Sequence, residues 1–586
     1  MRINLRSVLC VFFSLCVAVS ALAQGTQAII TGVVLDNEGL AVIGATIQVK
    51  NESTGFFTGS ITNEKGEYVI KQLPLGSPYT VTASYIGYGE QKKTGYSLNQ
   101  GDMLRVDFQL SEESVEIQTV EVVANSLKNT VPKIGAATSI SAQNIKKLPV
   151  NGRNFTSLMD LSPLSSGGNL AGQLASSTNY TIDGMTAKGT VASGTTSGAY
   201  TISMEAVREF EVVTNQYDVT YGRSGGGTVS AVTKSGTNTF TGSAFVFGRA
   251  DWLSSPFDIR GNKTNSEYST YQYGFSLGGP IIKDRAHFYL VWDHQQDSRP
   301  IYIADIRTAA DETRYNVTQS TLDQYLSIAR DKYGVSDDRQ FGEFGKKKQT
   351  NAVFARIDWQ LNPTNLLTIS DNFINENNPL SESDNSNINL YEVWINRKSH
   401  NNSVLATLRS MLSPRITNEL KLQHFLVYEG TTPNAQLPAT SIPRAIVENV
   451  ESVSASGEKM YTSIQLGGQR YAPENFTDHV VQLVDNMYYN TDRINYTFGA
   501  DFMYTNMNSL YGSEMNGRYY FTGLDNFNNL TPYRYAREVA LVDDPSVKMN
   551  TVKMKFLTKF EVIVYYDFFM PFLVDFLYQS LTLLCI

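Results

Sequence analysis

Over residues 271 to 504 apolar and polar side chains alternate in runs that end in turn-forming residues. In "YQYGFSLGG", Tyr273, Phe275 and Leu277 fall on one face, and Gln272, Gly274 and Ser276 on the other. "HFYLVWDHQ" puts Phe288, Leu290 and Trp292 in line, and "VFARIDWQL" sets Val353, Ala355, Ile357 and Trp359 against Arg356, Asp358 and Gln360. That run turns at Asn362-Pro363-Thr364-Asn365 into "LLTISDNF", and "YTFGADFMY" repeats the pattern with Tyr496, Phe498, Ala500 and Phe502. A period of two predicts strands, because successive side chains of a strand point to opposite faces. Charges opposite an apolar face fit a wall with lipid on one side and water on the other. A soluble antiparallel sheet with one wet face alternates in the same way, so the rest of the chain must decide. The polar stretches 299 to 350 and 376 to 400 read equally as outer loops of such a wall, whose Asn, Asp, Ser and Tyr could bind sugar or peptide, and as plain solvated loops, so no ligand residue is assigned to them.

Upstream the grammar changes twice. In residues 28 to 110, runs such as Ile47 to Val49, Tyr68 to Ile70 and Thr80 to Ser84 are cut by turn signals. Those signals are Asp36-Asn37-Glu38-Gly39, Asn63-Glu64-Lys65-Gly66 and Pro74-Leu75-Gly76. Short alternating strands with regular turns predict a β-sandwich. In "SEESVEIQTVEVVANSL", Glu112, Glu113, Glu116 and Glu121 interleave with Val115, Ile117, Val120, Val122 and Val123. This strand-capable segment reads as a last sandwich strand, as a linker, or as an edge open to a strand from another protein. "YGRSGGGTVSAVTKSGTNTFTGSAFVFG", residues 221 to 248, is too glycine-rich for a soluble core strand and too apolar for a linker. Gly225, Gly226 and Gly227 allow close backbone approach, and Thr239 to Phe247 is predicted as the first strand of the wall.

Composition narrows the class. Arg2 and Arg6 precede an apolar run from Val8 to Leu22 that ends in Ala21-Leu22-Ala23 before Gln24, which describes a secretory signal over residues 1 to 23. Cys10 and Cys16 lie in that signal and Cys585 is next to last, so the body of this exported chain holds no disulfide. A net charge of -8 without a basic run excludes a nucleic-acid partner. The five histidines, His287, His294, His400, His424 and His479, show no zinc spacing, and no phosphate-binding loop or nucleophile–base pair is present. Neither an enzyme, a cofactor nor a metal site is expected.

Two longer patterns resemble known families. "AIITGVVLDNEGLAVIGATIQVK" with "TNEKGEY" resembles the carboxypeptidase-regulatory-like domain, which carries no peptidase activity and is assigned residues 24 to 110. "ISAQNIKKLPVNGRNFTSLMDLSPL", "NYTIDGM" and "ISMEAVREFEVVTNQYDVTYGRSGGG", in that order, resemble the plug of TonB-dependent outer-membrane receptors, assigned to 131 to 238, with a short helix at Ala142 to Lys147. With the leading sandwich, the wording is most similar to the Oar-like subgroup. The resemblance implies a mainly β architecture: an N-terminal sandwich, a mixed α/β plug, and an antiparallel transmembrane barrel in the outer membrane. It makes the segment 111 to 130 a linker with a TonB box at Thr119, Val120, Glu121, Val122 and Val123. It marks Arg153, Asp183, Gly184, Arg223 and Gly225 to Gly227 as plug positions, whose alternative reading is turn glycines and ordinary salt bridges. The implied partners are TonB with ExbB and ExbD, outer-membrane lipid, and an extracellular ligand of peptide or glycan class. A surface adhesion or assembly protein, or a nonfunctional relic, are the rival readings.

The implied wall has 22 strands in the intact family, whereas residues 239 to 552 offer only a partial barrel. In the tail assigned to residues 553 to 586, "MKFLTKFEVIVYYDFFMPFLVDFLYQSLTLLCI", which begins at Met554, is rich in Phe and Leu and poor in Gly, Asn and Thr. This aberrant tail reads as out-of-frame or truncated sequence, or as a membrane helix over Phe568 to Ile586.

Overall fold

The computed structural model describes residues 28–112, 120–123, 137–145, 155–166, 169–173, 177–188, 202–214, 227–257, 267–383, 388–434, 443–470, 474–491, 494–510, 517–537 and 551–568. Its first unit is a two-sheet sandwich. Ala28–Asp36 pairs antiparallel with Glu67–Leu73 and parallel with Met103–Arg105 and Phe108–Leu110. The facing sheet runs Phe57–Ile61, Thr46–Asn51, Gly76–Tyr85, Tyr88–Leu98 and Val120–Val123 in spatial order. Alternate residues Ile30, Val34, Ile47, Val49 and Val81 close the core with Tyr79 and Tyr96. Two of the expected turns are fixed by their own side chains: Asp36 Oδ1 accepts from the amides of Glu38 and Leu40, and Asn63 Oδ1 from those of Lys65 and Glu67.

The second unit is a five-stranded sheet in the order Ala137–Ser141, Val207–Val213, Gly227–Thr233, Thr178–Ile182, Met185–Thr186, with a short helix Ala142–Ile145. Its core, including Phe210, Val212, Val229 and Ala231, continues into Tyr289, Val291 and Phe354 of the surrounding wall.

The wall is one antiparallel sheet of ten strands in chain order: Thr241–Ala250, Ser269–Ile282, Ala286–Ser298, Lys347–Asn362, Asn365–Glu382, Ile395–Ser413, Ile416–Pro433, Glu474–Asn490, Ile494–Leu510 and Thr551–Phe568. The first and last of these are not paired with each other among the described residues. The alternation holds: Tyr273 and Leu277 are 40% and 42% exposed, whereas Gln272 and Ser276, on the opposite face, are 3% and 6% exposed. An outward apolar face and an inward polar one is the pattern of a barrel wall in lipid. The sixth strand has 19 residues, about 60 Å of chain at the usual rise per residue, which overreaches a ~25 Å apolar band. The stretch that begins the compositional break also enters the ladder, as Thr551–Phe568 against Ile494–Leu510.

Strands two and three, four and five, six and seven, and eight and nine meet in tight turns at one end of the wall. All other connections are long and lie at the opposite end. Short turns mark the periplasmic side of such walls and long loops the extracellular side. The long connections do not behave as plain solvated loops. They build a cap with helices Ala309–Tyr315, Gln319–Tyr333 and Gly523–Asn528. A sheet of Ile388–Asn389, Lys459–Leu466, Arg444–Val453, Arg518–Thr522 and Arg534–Ala536 completes it. Leu322, Tyr325, Ala329, Val447, Ile464 and Phe527 belong to its buried core. The reason is local: the Thr318 side chain caps the longer helix, Gly334 ends it in the left-handed region, and Leu322, Tyr325 and Ala329 share one face.

Candidate functional site

Of the residues singled out from sequence, Thr119, Arg153, Arg223, Gly225 and Gly226 lie outside the described residues. Val120, Glu121, Val122 and Val123 form a strand parallel to the sandwich strand Tyr88–Leu98, with Gln91 opposite Val120 and Thr94 opposite Val123. This strand is the last of its sheet. Gly227 opens the plug strand Gly227–Thr233 at φ 144°, where an added Cβ would lie 2.7 Å from the Val213 carbonyl oxygen.

Asp183 and Gly184 form the two-residue turn between Thr178–Ile182 and Met185–Thr186, at φ 50° and 81°. Two consecutive positive φ angles are the geometry that Asp-Gly supplies in tight hairpins. The turn aims the Asp183 carboxylate at the neighbouring strand, where it accepts from Thr233 N at 2.9 Å and Thr233 Oγ1 at 2.8 Å. Arg356, on the fourth wall strand, approaches it to 3.9 Å while making closer bonds to Asp358. The inward face of the wall thus meets the plug through polar groups. Lys421 Nζ donates to the Asp183 carbonyl at 3.2 Å, Gln423 Nε2 to the Thr186 carbonyl at 3.1 Å, and Ser203 Oγ to Asp293 Oδ2 at 2.7 Å. The neutral Gln423 bond contributes about 0.5–1.5 kcal/mol and those to Lys421, Asp183 and Asp293 about 1.5–3 kcal/mol each, so the plug is held by several separate, breakable terms.

The sandwich sits at the tight-turn end. Arg409, 4% exposed on the sixth wall strand, donates Nε to the Gln72 carbonyl at 2.6 Å and Nη2 to the Lys71 carbonyl at 3.3 Å. Its guanidinium also lies 5.1 Å from the Phe56 ring centroid. On the plug side, Gln100 donates its amide to Glu209 Oε2 at 2.6 Å and its Nε2 to Ser230 Oγ at 2.9 Å. Sandwich, plug and wall line a partly open cavity of about 120 Å³. Burial holds the Arg208 guanidinium in its lining below the usual arginine range, against the attraction of Glu209. Alternation had put Arg356 on the inward face; Arg208, Arg409 and Lys421 were not singled out. Nothing local distinguishes a lone inward Arg, because its partners lie far along the chain.

No group of metal-ligating side chains occurs among the described residues. His287 Nε2 and Asn238 Oδ1 are 2.9 Å apart, and His294 Nδ1 and Asn351 Oδ1 2.8 Å, so both histidines serve the local strand structure.

Comparison with known proteins adds three findings. Residues 232–325 and 338–558 match the model of the outer membrane beta barrel domain, and residues 29–111 that of the carboxypeptidase regulatory-like domain. The TonB-dependent transporter Oar of Myxococcus xanthus is 29% identical over 251 residues, which cover 39% of this chain and 23% of that protein. Among solved structures, the outer membrane transporter YddB of Escherichia coli aligns with a TM-score of 0.45 at 13% identity, over 74% of this chain and 53% of that one. The siderophore receptor PirA of Acinetobacter baumannii aligns with a TM-score of 0.40 at 15% identity, over 64% and 48%. The chain thus corresponds to about a quarter of the curated relative's length and about half of the solved chains.

Proposed function

The chain belongs to the outer membrane beta barrel family, and on that premise we propose that it is a TonB-dependent receptor, taking an extracellular ligand at the cap end and coupled to TonB at the sandwich end. One observation carries the proposal. Val120 to Val123, the segment read as a TonB box, ends the five-stranded sheet of a domain docked at the tight-turn mouth. A terminal strand offers unpaired N–H and C=O groups on its outer edge, to which a strand of TonB adds by main-chain hydrogen bonding. The similarity to Oar supports the same reading. The plug needs no catalytic group; polar contacts that can break one by one are enough for a pull to displace it. ExbB and ExbD enter as the inner-membrane partners that energise TonB, and the ligand class proposed is peptide or glycan.

The test is deletion of residues 117 to 124 in the full chain, with photo-crosslinking to the purified C-terminal domain of TonB. With the photo-reactive group carried by the TonB domain, the expected result is a crosslink to residues 117 to 124 of the unaltered chain that is lost on deletion, with the outer-membrane level of the protein unchanged. A crosslink that survives the deletion overturns the assignment of the box. Retained surface adhesion without any TonB contact would favour the adhesion reading instead.

A further inference from the structure

The two ends of the sandwich carry different surfaces. One end meets the rest of the chain: Gln72 accepts from Arg409, Gln100 donates to Glu209, and the Ser53 carbonyl accepts from Asn238 N at 2.7 Å. The other end is built from the turn at 36 to 40, the bend at 43 to 44 and the hairpin at 85 to 88. Strand pairing brings these three together. Asp36 lies opposite Leu110, the Ser111 carbonyl accepts from Gly89 N at 2.9 Å, and Thr46, just after the bend, lies opposite Ser84.

The large apolar side chains left exposed among the described sandwich residues are Leu40, Ile43, Tyr85 and Ile86, and all of them lie at this outer end. Leu40 is 61% exposed and Ile86 94%. Single exposed apolar residues need no explanation, but a cluster with a polar rim marks a contact surface. The rim here is acidic. After burial, it is the carboxylates of Asp36, Glu112 and Glu38 that oppose ionisation of Tyr88 in the hairpin. Glu64 and Lys65, in the next turn, cancel each other in charge.

This end also adjoins the edge strand Val120–Val123. Gln91, opposite Val120, is three residues from Tyr88, about 10 Å along the strand. A strand added to that edge belongs to a folded domain wider than this distance, so the body of the domain reaches the hairpin. We infer, on the TonB reading of that edge, that the outer end centred on Leu40 and Ile86 is a second docking surface for the same partner, one that seats basic and apolar side chains. Main-chain bonds at an edge supply affinity with little discrimination, whereas charge complementarity around a patch selects the partner. The acidic rim repels an anionic lipid or polymer surface, which leaves a basic protein surface as the occupant.

The full chain in detergent is titrated calorimetrically with the purified C-terminal domain of TonB. Leu40→Ser combined with Ile86→Ser should weaken binding at least about tenfold and leave the fold intact, because both side chains are already exposed. Glu38→Lys should weaken binding and flatten its dependence on salt. Carbene footprinting of the unaltered complex should show protection of residues 38 to 43 and 85 to 88. Full affinity in the double variant, or no protection of 85 to 88, overturns the second surface, even where deletion of 117 to 124 abolishes binding and so upholds the box. Weakening by the double variant with binding that survives the deletion upholds the surface and overturns the box. An unaltered chain that does not bind the domain overturns both.

Discussion

Replacing Arg409 by Met tests whether the sandwich is held on the wall by this one side chain. The substitution keeps a similar volume and removes two charge-assisted bonds, to the carbonyls of Gln72 at 2.6 Å and Lys71 at 3.3 Å. Hydrogen bonds to charged groups contribute about 1.5–3 kcal/mol net, and the longer of the two belongs at the weak end. The stacking on Phe56 adds less than either bond. Relief of guanidinium desolvation offsets part of this, which argues for the lower total of about 3 kcal/mol. That energy shifts the docked–undocked equilibrium about 150-fold. The reporter is Thr58→Cys, because Thr58 is buried in the sandwich with its Oγ1 on Met411 Sδ at 3.3 Å. Maleimide labelling at position 58, followed by mass spectrometry, scales with the undocked population. Labelling should accelerate about 150-fold with Arg409→Met, and less with Arg409→Lys. Acceleration below about threefold, under 1 kcal/mol, would refute the assignment of docking energy to Arg409.

Two further substitutions probe the plug and the cap. Gly227→Ala should weaken the plug by about 1–3 kcal/mol, because a Cβ at φ 144° lies 2.7 Å from the Val213 carbonyl oxygen; faster hydrogen exchange at amides 228 to 233 measures it. In the cap, burial pushes the Glu392 carboxyl from 4.5 up to about 7. A folded-state value above the unfolded one means that the folded cap binds the extra proton, so its stability falls as pH rises from about 4.5 to about 7. The loss is at most about 3 kcal/mol, read as faster exchange at Leu390 and Val447 after correction for intrinsic rates, and Glu392→Gln should abolish the pH dependence.

The wall was legible because its signal is local. Each residue of "YQYGFSLGG" declares its face through its immediate neighbours, and the observed exposure of Tyr273 and Leu277 follows that alternation. The Asp183-Gly184 turn was legible for the same reason, since the two residues carry the conformational demand themselves. The partners of Asp183 were not, because Arg356 lies 173 residues further along and only the folded chain brings it to 3.9 Å. The cap is a different case. Thr318, Gly334 and the Leu322, Tyr325, Ala329 stripe mark a helix within one short window, but its polar surroundings made the stretch read as loop. Its apolar residues are sparse because its core is assembled from four separate connections.

The arrangement at the tight-turn end also decides the order in which contacts would yield to a pull on Val120 to Val123. One route into the plug runs along the chain through residues 124 to 136, whose thirteen residues can reach at most about 45 Å before they transmit force. The other runs through the ladder to Gln91–Thr94, which bears load without taking up slack. Along that second route the sandwich moves first, resisted on the wall side by the Arg409 pair of bonds with the weaker Thr58–Met411, Ser60–Pro414 and Asn490–Val69 contacts, and on the plug side by the Gln100 bonds to Glu209 and Ser230. The Gln100 amide bond to the Glu209 carboxylate, at 2.6 Å, is charge-assisted like each Arg409 bond, so release at Arg409 leaves the plug-side contact in place. A sandwich released there no longer covers the mouth, and the Gln100 contacts then draw directly on the two central plug strands, Val207–Val213 and Gly227–Thr233. The domain at the mouth is therefore positioned as the first element to move, with the plug following it.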